Sequence, residues 1–228
     1  MALLGKAVLI NWSNVLRENR PQYYDWHDRE HMRGRLGLHG FLRGRRLWAC
    51  EADRDVLNLY EVADLDVLTG RAYSHKASNP SPAYRSAGKI ITDAVRALAH
   101  VRYSRGTAVG GWMLTVRHGL SNASNGSTQL IEKVFPRILD IRGVVGLHLC
   151  VADQLSSAVV TKDREGRPTA VPDWSILVEA TTLEALEACQ VECLTDGALI
   201  DAGCIGPFLK GTYSLQMLMT KQDLGIDV

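Results

Sequence analysis

The sequence predicts an α+β protein made of two tandem ferredoxin-like (βαββαβ) repeats packed sheet to sheet. The first observation is an internal repeat, because DVLNLYEVADLDVL (55–68) aligns without a gap with DWSILVEATTLEAL (173–186). Just upstream, segments 40–53 and 143–153 also align when three positions are skipped. Two adjacent matches in the same order indicate a duplication. The second observation is that each half shows the same order of strands and helices.

The first half shows the order strand, helix, strand, strand, helix, strand. Pro21 suits the first turn of a helix, where its missing N–H costs nothing, and Gly37 and Gly40 end that helix. The predicted elements are a strand over 7–14, a helix over 21–36, strands over 41–50 and 56–62, a helix capped by Asp64, a helix over 86–99 and a strand over 100–106.

The second half repeats this order. The predicted elements are a strand over 111–118, a polar loop over 119–127, a helix over 128–141, strands over 144–152 and 174–180, a helix over 183–195 and a strand over 212–220. A charged loop over 154–172 separates two of the strands. We assign residues 1–107 to an N-terminal half that carries the candidate site, and residues 108–228 to a C-terminal half that is mainly structural.

Composition excludes several classes of protein. The chain has 228 residues, with 26 Lys and Arg against 25 Asp and Glu. This balance provides no overall field for nucleic acid or a membrane surface. No apolar run reaches the roughly 18–20 residues that span a bilayer, and the N-terminus does not resemble a signal peptide. Five cysteines without CxxC spacing indicate reduced thiols. We expect a cytoplasmic protein with a small-molecule substrate, and the sequence is compatible with a homo-oligomer.

Three segments carry a resemblance to a known family: YYDWHDREHMRGRLGLHGFLRGRRLW (23–48), LNLYEVADLDVLTGRAY (57–73) and NPSP (79–82). Over residues 7–85 the chain resembles the dimeric α+β barrel superfamily, and most closely its EthD-type bacterial proteins. The resemblance implies that the two halves form within one chain the barrel that single-unit relatives form by dimerising. The superfamily includes cofactor-free monooxygenases, isomerases, lyases, fungal dehydratases and haem enzymes, so the fold does not decide the reaction.

The helix over 21–36 has an unusual face. A helical period places two tyrosines, two histidines and a carboxylate on one side, namely Tyr23, Tyr24, His27, Glu30 and His31. The corresponding face of the helix over 128–141 is hydrocarbon, with Leu130, Ile131, Val134, Phe135, Ile138 and Leu139. Because polar groups are costly to bury without a purpose, this contrast predicts a polar cavity in the N-terminal half alone. The alternative is that the polar face is solvated.

His31 is the first candidate for catalysis, because an imidazole gives or takes a proton near neutral pH. The resemblance implies that a helix histidine at this position lies in the pocket. His27, one turn earlier, and Tyr24 are candidates to assist it.

Candidate substrate-binding residues lie on the predicted strands. Arg43 and Arg45 share one strand face, and an arginine at a pocket recognises a carboxylate or phenolate through two contacts. Trp12, Asn58 and Tyr60 line the same cavity if their strand faces point toward the helix over 21–36, and they form interface packing if those faces point toward the other half. Tyr73 is a further candidate at the rim.

The segment from His27 to His31 satisfies the HxxEH pattern, which holds a metal ion in inverted zinc proteases. We expect no metal here, because Arg29 and Arg33 place positive charge beside the pattern. No GxGxxG, P-loop or GxSxG motif is present, and no axial haem ligand stands out. We therefore expect no cofactor.

These observations predict a cofactor-independent lyase or isomerase with a histidine general acid/base. Its substrate would be a small, anionic, aromatic catabolic intermediate. One alternative is a cofactor-free monooxygenase of the same fold, and another is a non-catalytic protein that binds a small ligand.

Overall fold

A computed structural model describes residues 2–119 and 126–225 of the chain. Its centre is a closed barrel of eight strands, all paired antiparallel. The strands are β1 (Ala7–Asn14), β2 (Phe41–Glu51), β3 (Val56–Val62), β4 (Thr92–Gly106), β5 (Trp112–Gly119), β6 (Val144–Ala152), β7 (Trp174–Ala180) and β8 (Ile205–Thr220). Their order around the barrel is β1-β3-β2-β8-β5-β7-β6-β4.

Each half contributes four neighbouring strands in the same order, β4-β1-β3-β2 in the first half and β8-β5-β7-β6 in the second. The two sets join edge to edge, through β2 with β8 and through β4 with β6. The described helices are α1 (Arg20–Trp26), α2 (Met32–Leu36), α3 (Asp66–Thr69), α4 (Arg71–Ser78), α5 (Pro82–Gly88), α6 (Gly126–Gln129), α7 (Phe135–Leu139), α8 (Gln154–Ala158), α9 (Leu183–Glu192) and α10 (Asp196–Asp201).

Successive side chains along each strand point in turn to two different environments. One face of each strand points into the barrel, where an apolar cluster includes Ile10, Trp12 and Leu59. The other face is covered by helices. In the second half that outer layer is a large hydrophobic core, and in the first half two smaller apolar clusters flank the segment over 20–36.

Four predicted strands, over 7–14, 56–62, 144–152 and 174–180, are confirmed with the same bounds. The strand over 41–50 is confirmed with one more residue. The helix that Asp64 was expected to cap is divided at Gly70 into α3 and α4. Most of the polar loop over 119–127 lies outside the described residues.

The prediction of a helix over 86–99 is wrong. Helix α5 ends at Gly88, and β4 begins at Thr92. The alanines of this stretch and Arg96 favour a helix, but Val95, Ala97 and Ala99 alternate with a period of two and pack into the barrel. Tertiary packing therefore overrides the local propensity. The last strand is also longer than predicted, and α10 was not predicted.

No helix in the described part of the chain is both long enough and apolar enough to cross a membrane.

Candidate functional site

One continuous helical segment covers the outer face of the N-terminal strands. Helix α1 passes into a π-helical turn over His27–His31, which continues directly as α2. A π-helical turn often marks a functional site, but the second half has one too, over Leu130–Val134. The turn thus belongs to the scaffold of both halves, and the side chains it carries make the difference between them.

A cavity of about 80 Å³ lies between this segment and strands β1, β3 and β4. Its aromatic lining comes from Tyr23, Trp26, Tyr60, Tyr73 and Tyr84, and its histidines are His27 and His31. At the corresponding place in the second half, Leu130, Phe135 and Ile138 are fully buried in an apolar cluster. The structure thus places the polar cavity in the N-terminal half, and the alternative of a solvated helix face does not hold.

His27 is buried, and both of its ring nitrogens have partners. Nη1 of Arg46 lies 3.1 Å from Nδ1, and the hydroxyl of Tyr60 lies 3.2 Å from Nε2. Because a guanidinium can only donate, Nδ1 must be the acceptor, so the proton of the neutral imidazole lies on Nε2 and is donated to Tyr60. Burial and the charge of Arg46 lower the pKa of His27 well below its usual value. His27 is therefore held neutral and has no free nitrogen for proton transfer.

The Tyr60 hydroxyl receives this hydrogen bond, so its own proton is available to another group. Burial raises the pKa of Tyr60 well above its usual value, which keeps the hydroxyl protonated. None of the residues that the structure describes accepts that proton, and Tyr60 lines the cavity. A ligand oxygen in the cavity is thus its natural acceptor.

His31 differs from His27. Its ring lies between aromatic neighbours, 4.4 Å from the ring of Trp26 and 5.3 Å from that of Tyr84. It makes no hydrogen bond to any described residue, and it lines the cavity. Burial, followed by the positive charge of Arg35, lowers the pKa of His31 well below its usual value. At neutral pH the ring is uncharged and can accept a proton from a ligand.

Arginine is the dominant charge of the cavity. Arg35 and Arg96 are buried in its wall, and Arg164 and Arg167 reach it from the second half. The Arg96 Nη2 donates to the Tyr73 hydroxyl at 2.9 Å, while Nη1 has no partner among the described residues. No Asp or Glu belongs to the described lining. Such a site favours an anion.

Asn58 fixes the opposite side of the cavity. Its Nδ2 donates to the Tyr23 hydroxyl at 2.9 Å, and its Oδ1 has no partner in the described ranges. The Tyr23 ring stacks on His27 at 5.2 Å. Of the candidate residues, the structure brings together His27, His31, Asn58, Tyr60 and Tyr73.

Trp12, Arg43 and Arg45, expected at the substrate site, do not reach the cavity, and this expectation is corrected. Their strand faces point into the barrel, where all three are buried. Arg43 forms a two-pronged pair with Glu61, and Arg45 binds both Glu61 at 3.0 Å and Glu179 at 2.8 Å. These arginines therefore neutralise buried carboxylates.

Tyr24 also lies outside the cavity. It is half-buried beside Trp48, and the guanidinium of Arg46 lies 4.8 Å from its ring centre. Its expected catalytic role is corrected on these grounds.

The HxxEH pattern does not assemble as a metal site. Glu30 accepts a hydrogen bond from Ser81, and Nδ1 of His27 faces Arg46. In the described residues no group of three His, Cys, Asp or Glu side chains could hold an ion.

Arg96 and Tyr84 line the cavity but are not among the site residues predicted from the sequence. Arg96 was assigned to a helix, where its face could not be related to the sheet, although the alternation from Val95 onward was a signal for a strand. Thr169 and the two arginines beside it were also missed, because they belong to the charged loop over 154–172. That loop adds a bridge to β4, where Ala170 accepts from the Arg96 amide at 2.8 Å.

A comparison of the chain with protein-family models and with curated proteins finds no match. Solved structures do match. An "anthrone oxidase-like protein" has a TM-score of 0.62 at 12% identity, over 97% of this chain and 96% of the other. A "Putative monooxygenase" from Fusobacterium nucleatum has a TM-score of 0.59 at 9% identity, over 96% of both chains. A "putative monooxygenase" from Lactobacillus acidophilus has a TM-score of 0.58 at 11% identity, over 95% of this chain and 97% of the other. At these identities the likeness shows the fold alone, which is a mixed α+β fold with an eight-stranded antiparallel barrel.

Proposed function

We propose that the chain is a small-molecule enzyme that uses His31 to take a proton from an anionic aromatic substrate. One observation carries the proposal. A neutral imidazole without a hydrogen bond to any described residue faces a cavity lined by four arginines and by aromatic rings. The arginines supply recognition of an anion, and the imidazole supplies a base next to it.

Each side chain has a distinct role in this scheme. Arg96 and Arg35 hold the anionic group, and the aromatic rings contact the body of the substrate. Tyr60 donates a hydrogen bond to the oxygen on which negative charge develops once the proton has left. His27 acts as a positioning residue, because its Nε2–H occupies the acceptor side of Tyr60 and so directs the Tyr60 proton into the cavity.

The leading reaction is that of a lyase or isomerase without a cofactor. His31 takes a proton from one carbon of the substrate. The electron pair of the broken C–H bond is then delocalised toward the substrate oxygen that accepts a hydrogen bond from Tyr60. In an isomerase the imidazolium returns the proton to a second carbon. In a lyase the electron pair expels a leaving group, which receives the proton.

The alternative reaction is a cofactor-free monooxygenation, and the names of the structural neighbours favour it. It begins with the same proton transfer. The substrate carbanion then adds dioxygen to form a carbon-bound peroxide. The same carbon loses its second hydrogen as a proton while the O–O bond breaks, so that one oxygen atom stays as a carbonyl and the other leaves as water. The electrons come from the substrate, so no reductant is needed.

We extend the proposal to the finer features of the fold. We infer that the halves, 1–107 and 108–228, are tandem copies and that residues 7–85 are of the EthD type. Gly40 and Gly143, which align in the repeat, both adopt a positive φ directly before β2 and β6. The two π-helical turns also occupy equivalent places. We propose a cytoplasmic protein.

Hydrogen exchange in D2O tests the proposal. A panel of phenols and enolisable aromatic acids is incubated with the protein, and loss of C–H signals is followed by NMR while an electrode records oxygen. We expect exchange for at least one member and at least a hundredfold slower exchange for His31→Asn. The control His75→Asn removes an exposed histidine and should change nothing.

The outcomes separate the candidates. Exchange without oxygen uptake supports the lyase or isomerase, and exchange with oxygen uptake supports the monooxygenase. Binding of panel members with neither exchange nor oxygen uptake would contradict both and favour a non-catalytic binding protein.

A further inference from the structure

A second hollow opens beside the cavity, on the far side of Tyr73 and Arg96. Its volume is about 330 Å³, and both of those residues line it as well as the cavity. It lies between α3 and α4 of the first half and α8 of the second, with β4 beneath. The hydrogen-bonded pair of Arg96 and Tyr73 thus lines both spaces.

The walls of this hollow, here termed the apolar groove, are mostly hydrocarbon. Leu68 and Leu98 form its buried side, and Leu155 and Val159 form its outer side. The remaining described lining consists of hydroxyl groups, the Tyr73 ring and a single charged residue, Arg96. A space of this composition takes an uncharged, apolar group, with any anionic group placed at Arg96.

The outer wall is unusually exposed. Leu155 is 86% exposed and Val159 is 57% exposed, and the neighbouring Val160 is exposed too. Neighbouring apolar side chains exposed in this way indicate a surface that is covered by something. Because the groove and the cavity share Tyr73 and Arg96 as lining residues, the favoured occupant is the substrate itself.

The sizes of the cavity and the groove support the substrate as the occupant of both. At about 80 Å³ the cavity is far smaller than the roughly 300–1,000 Å³ that is typical of small-molecule sites, whereas the groove lies within that range. The cavity alone therefore has room for the reacting part of a substrate but not for a large extension of it.

We propose that the apolar groove is a subsite for an alkyl or carbocyclic extension of the substrate. The substrate is then an amphiphile, with its anion at Arg96, its reacting ring toward His31 and its apolar part beneath Leu155 and Val159. This inference rests on the proposed function, because it takes the arginine-lined cavity as the place where the anion binds. It adds a role for the second half, whose helix α8 selects substrates by their apolar part.

Calorimetric titration with benzoate and with 2-ethyl-, 2-butyl- and 2-octylbenzoate tests the proposal on the full chain. The alkyl group beside the carboxylate can enter the groove while the carboxylate stays at Arg96. We expect the Kd to fall about threefold to fourfold for each added methylene until the groove is filled.

Two variants make the test specific. The double variant Leu155→Ser/Val159→Ser should bind benzoate with an unchanged Kd and should lose most of the dependence on chain length. Both side chains are exposed, so folding is preserved. The matched control Val191→Ser removes an equally exposed valine from α9 and should keep the full dependence.

Each outcome is decisive. Benzoate binding with a Kd that does not change along the series overturns the groove as a subsite and leaves the proposed function intact. No binding by any member overturns the anion site, and the groove proposal with it. A chain-length series without effect, together with dimerisation that the double variant loses and Val191→Ser retains, would show that a second copy of the chain covers the groove.

Discussion

At the scale of single residues, the two histidines of one helical turn have opposite properties. His27 uses both nitrogens on protein groups, and His31 uses neither. A lowered pKa is therefore not enough to identify a base, because both imidazoles have one. The hydrogen-bond partners decide which ring can exchange a proton with a ligand.

The contacts of His27 with Arg46 and Tyr60 predict its tautomer. We expect nitrogen-detected NMR to show the proton on Nε2 and a bare Nδ1, with no titration of this ring between pH 8 and pH 6.5. In Arg46→Gln the donor-only partner is lost, and the preference for that tautomer should weaken. A wild-type His27 with its proton on Nδ1 would contradict the proposed orientation of Tyr60.

Arg96 is predicted to be the main anion contact, because its buried Nη1 has no partner among the described residues. Arg96→Gln should raise the Kd for benzoate about 10- to 100-fold, as expected for the loss of a charged hydrogen bond. Arg102→Gln, which removes an exposed arginine from the same strand, is the control. Equal effects of both variants, measured by calorimetry, would show that only general charge matters.

At the scale of elements, the segment over 20–36 and its counterpart in the second half share a backbone and differ in what they bury. Around the first, tyrosines, histidines and arginines surround a cavity, and around the second, leucine, isoleucine and phenylalanine fill the space. The stability of the segment over 20–36 therefore depends on the ionisation of its buried groups and should vary with pH.

Acid should destabilise the protein through His27. The folded pKa of this group lies below its unfolded value of about 6.5, so below pH 6.5 the unfolded chain binds a proton that the folded chain does not. The free energy of unfolding is thus highest above pH 6.5 and falls as the pH decreases, by up to about 1.4 kcal/mol per pH unit from this group.

Urea unfolding at pH 7.5 and at pH 5.5 measures this effect. His27→Gln should reduce the dependence by about 1 kcal/mol between the two values, and His75→Gln, which replaces an exposed histidine, should not. The same pH dependence in wild type and His27→Gln would show that His27 is protonated in the folded protein.

The strands differ in how well the local sequence predicts them. Strands such as β3 and β7 were predicted with the right bounds because alternation and turn residues agree locally. Strand β4 was not, because its alanines and arginines have helical propensity and only the closed barrel makes its alternation decisive. The misassignment of β4 also concealed Arg96, so an error in the fold became an error in the site.

At the scale of the whole molecule, buried charges connect the two halves. Arg45 of the first half binds Glu61 and Glu179, the two glutamates that align in the repeat. His148 donates to Glu179 at 3.0 Å. Burial alone would raise the pKa of Glu179, but the His148 hydrogen bond and the charge of Arg45 lower it to about 2. The repeat predicted that the glutamates are equivalent, but their contact with one arginine depends on barrel closure.

Glu179→Gln should lower the free energy of unfolding by about 3 kcal/mol, because Arg43 and Arg45 then share the carboxylate of Glu61 and one buried positive charge is no longer balanced. Lys210→Gln, which breaks the surface pair with Asp196, should cost less than about 1 kcal/mol. Since the halves share strand edges, fluorescence of Trp26 and Trp174 should report one unfolding transition. Two separate transitions would contradict this coupling.

The proposed function requires that the arginine-lined cavity of the N-terminal half binds an aromatic anion against His31. A crystal structure with 4-bromobenzoate, located by the anomalous signal of bromine, tests it most directly. We expect the carboxylate within hydrogen-bond distance of Arg96 Nη1 and the ring in contact with His31. An empty cavity, with the ligand in the basic surface hollow beside Arg85 and Lys89, would contradict it.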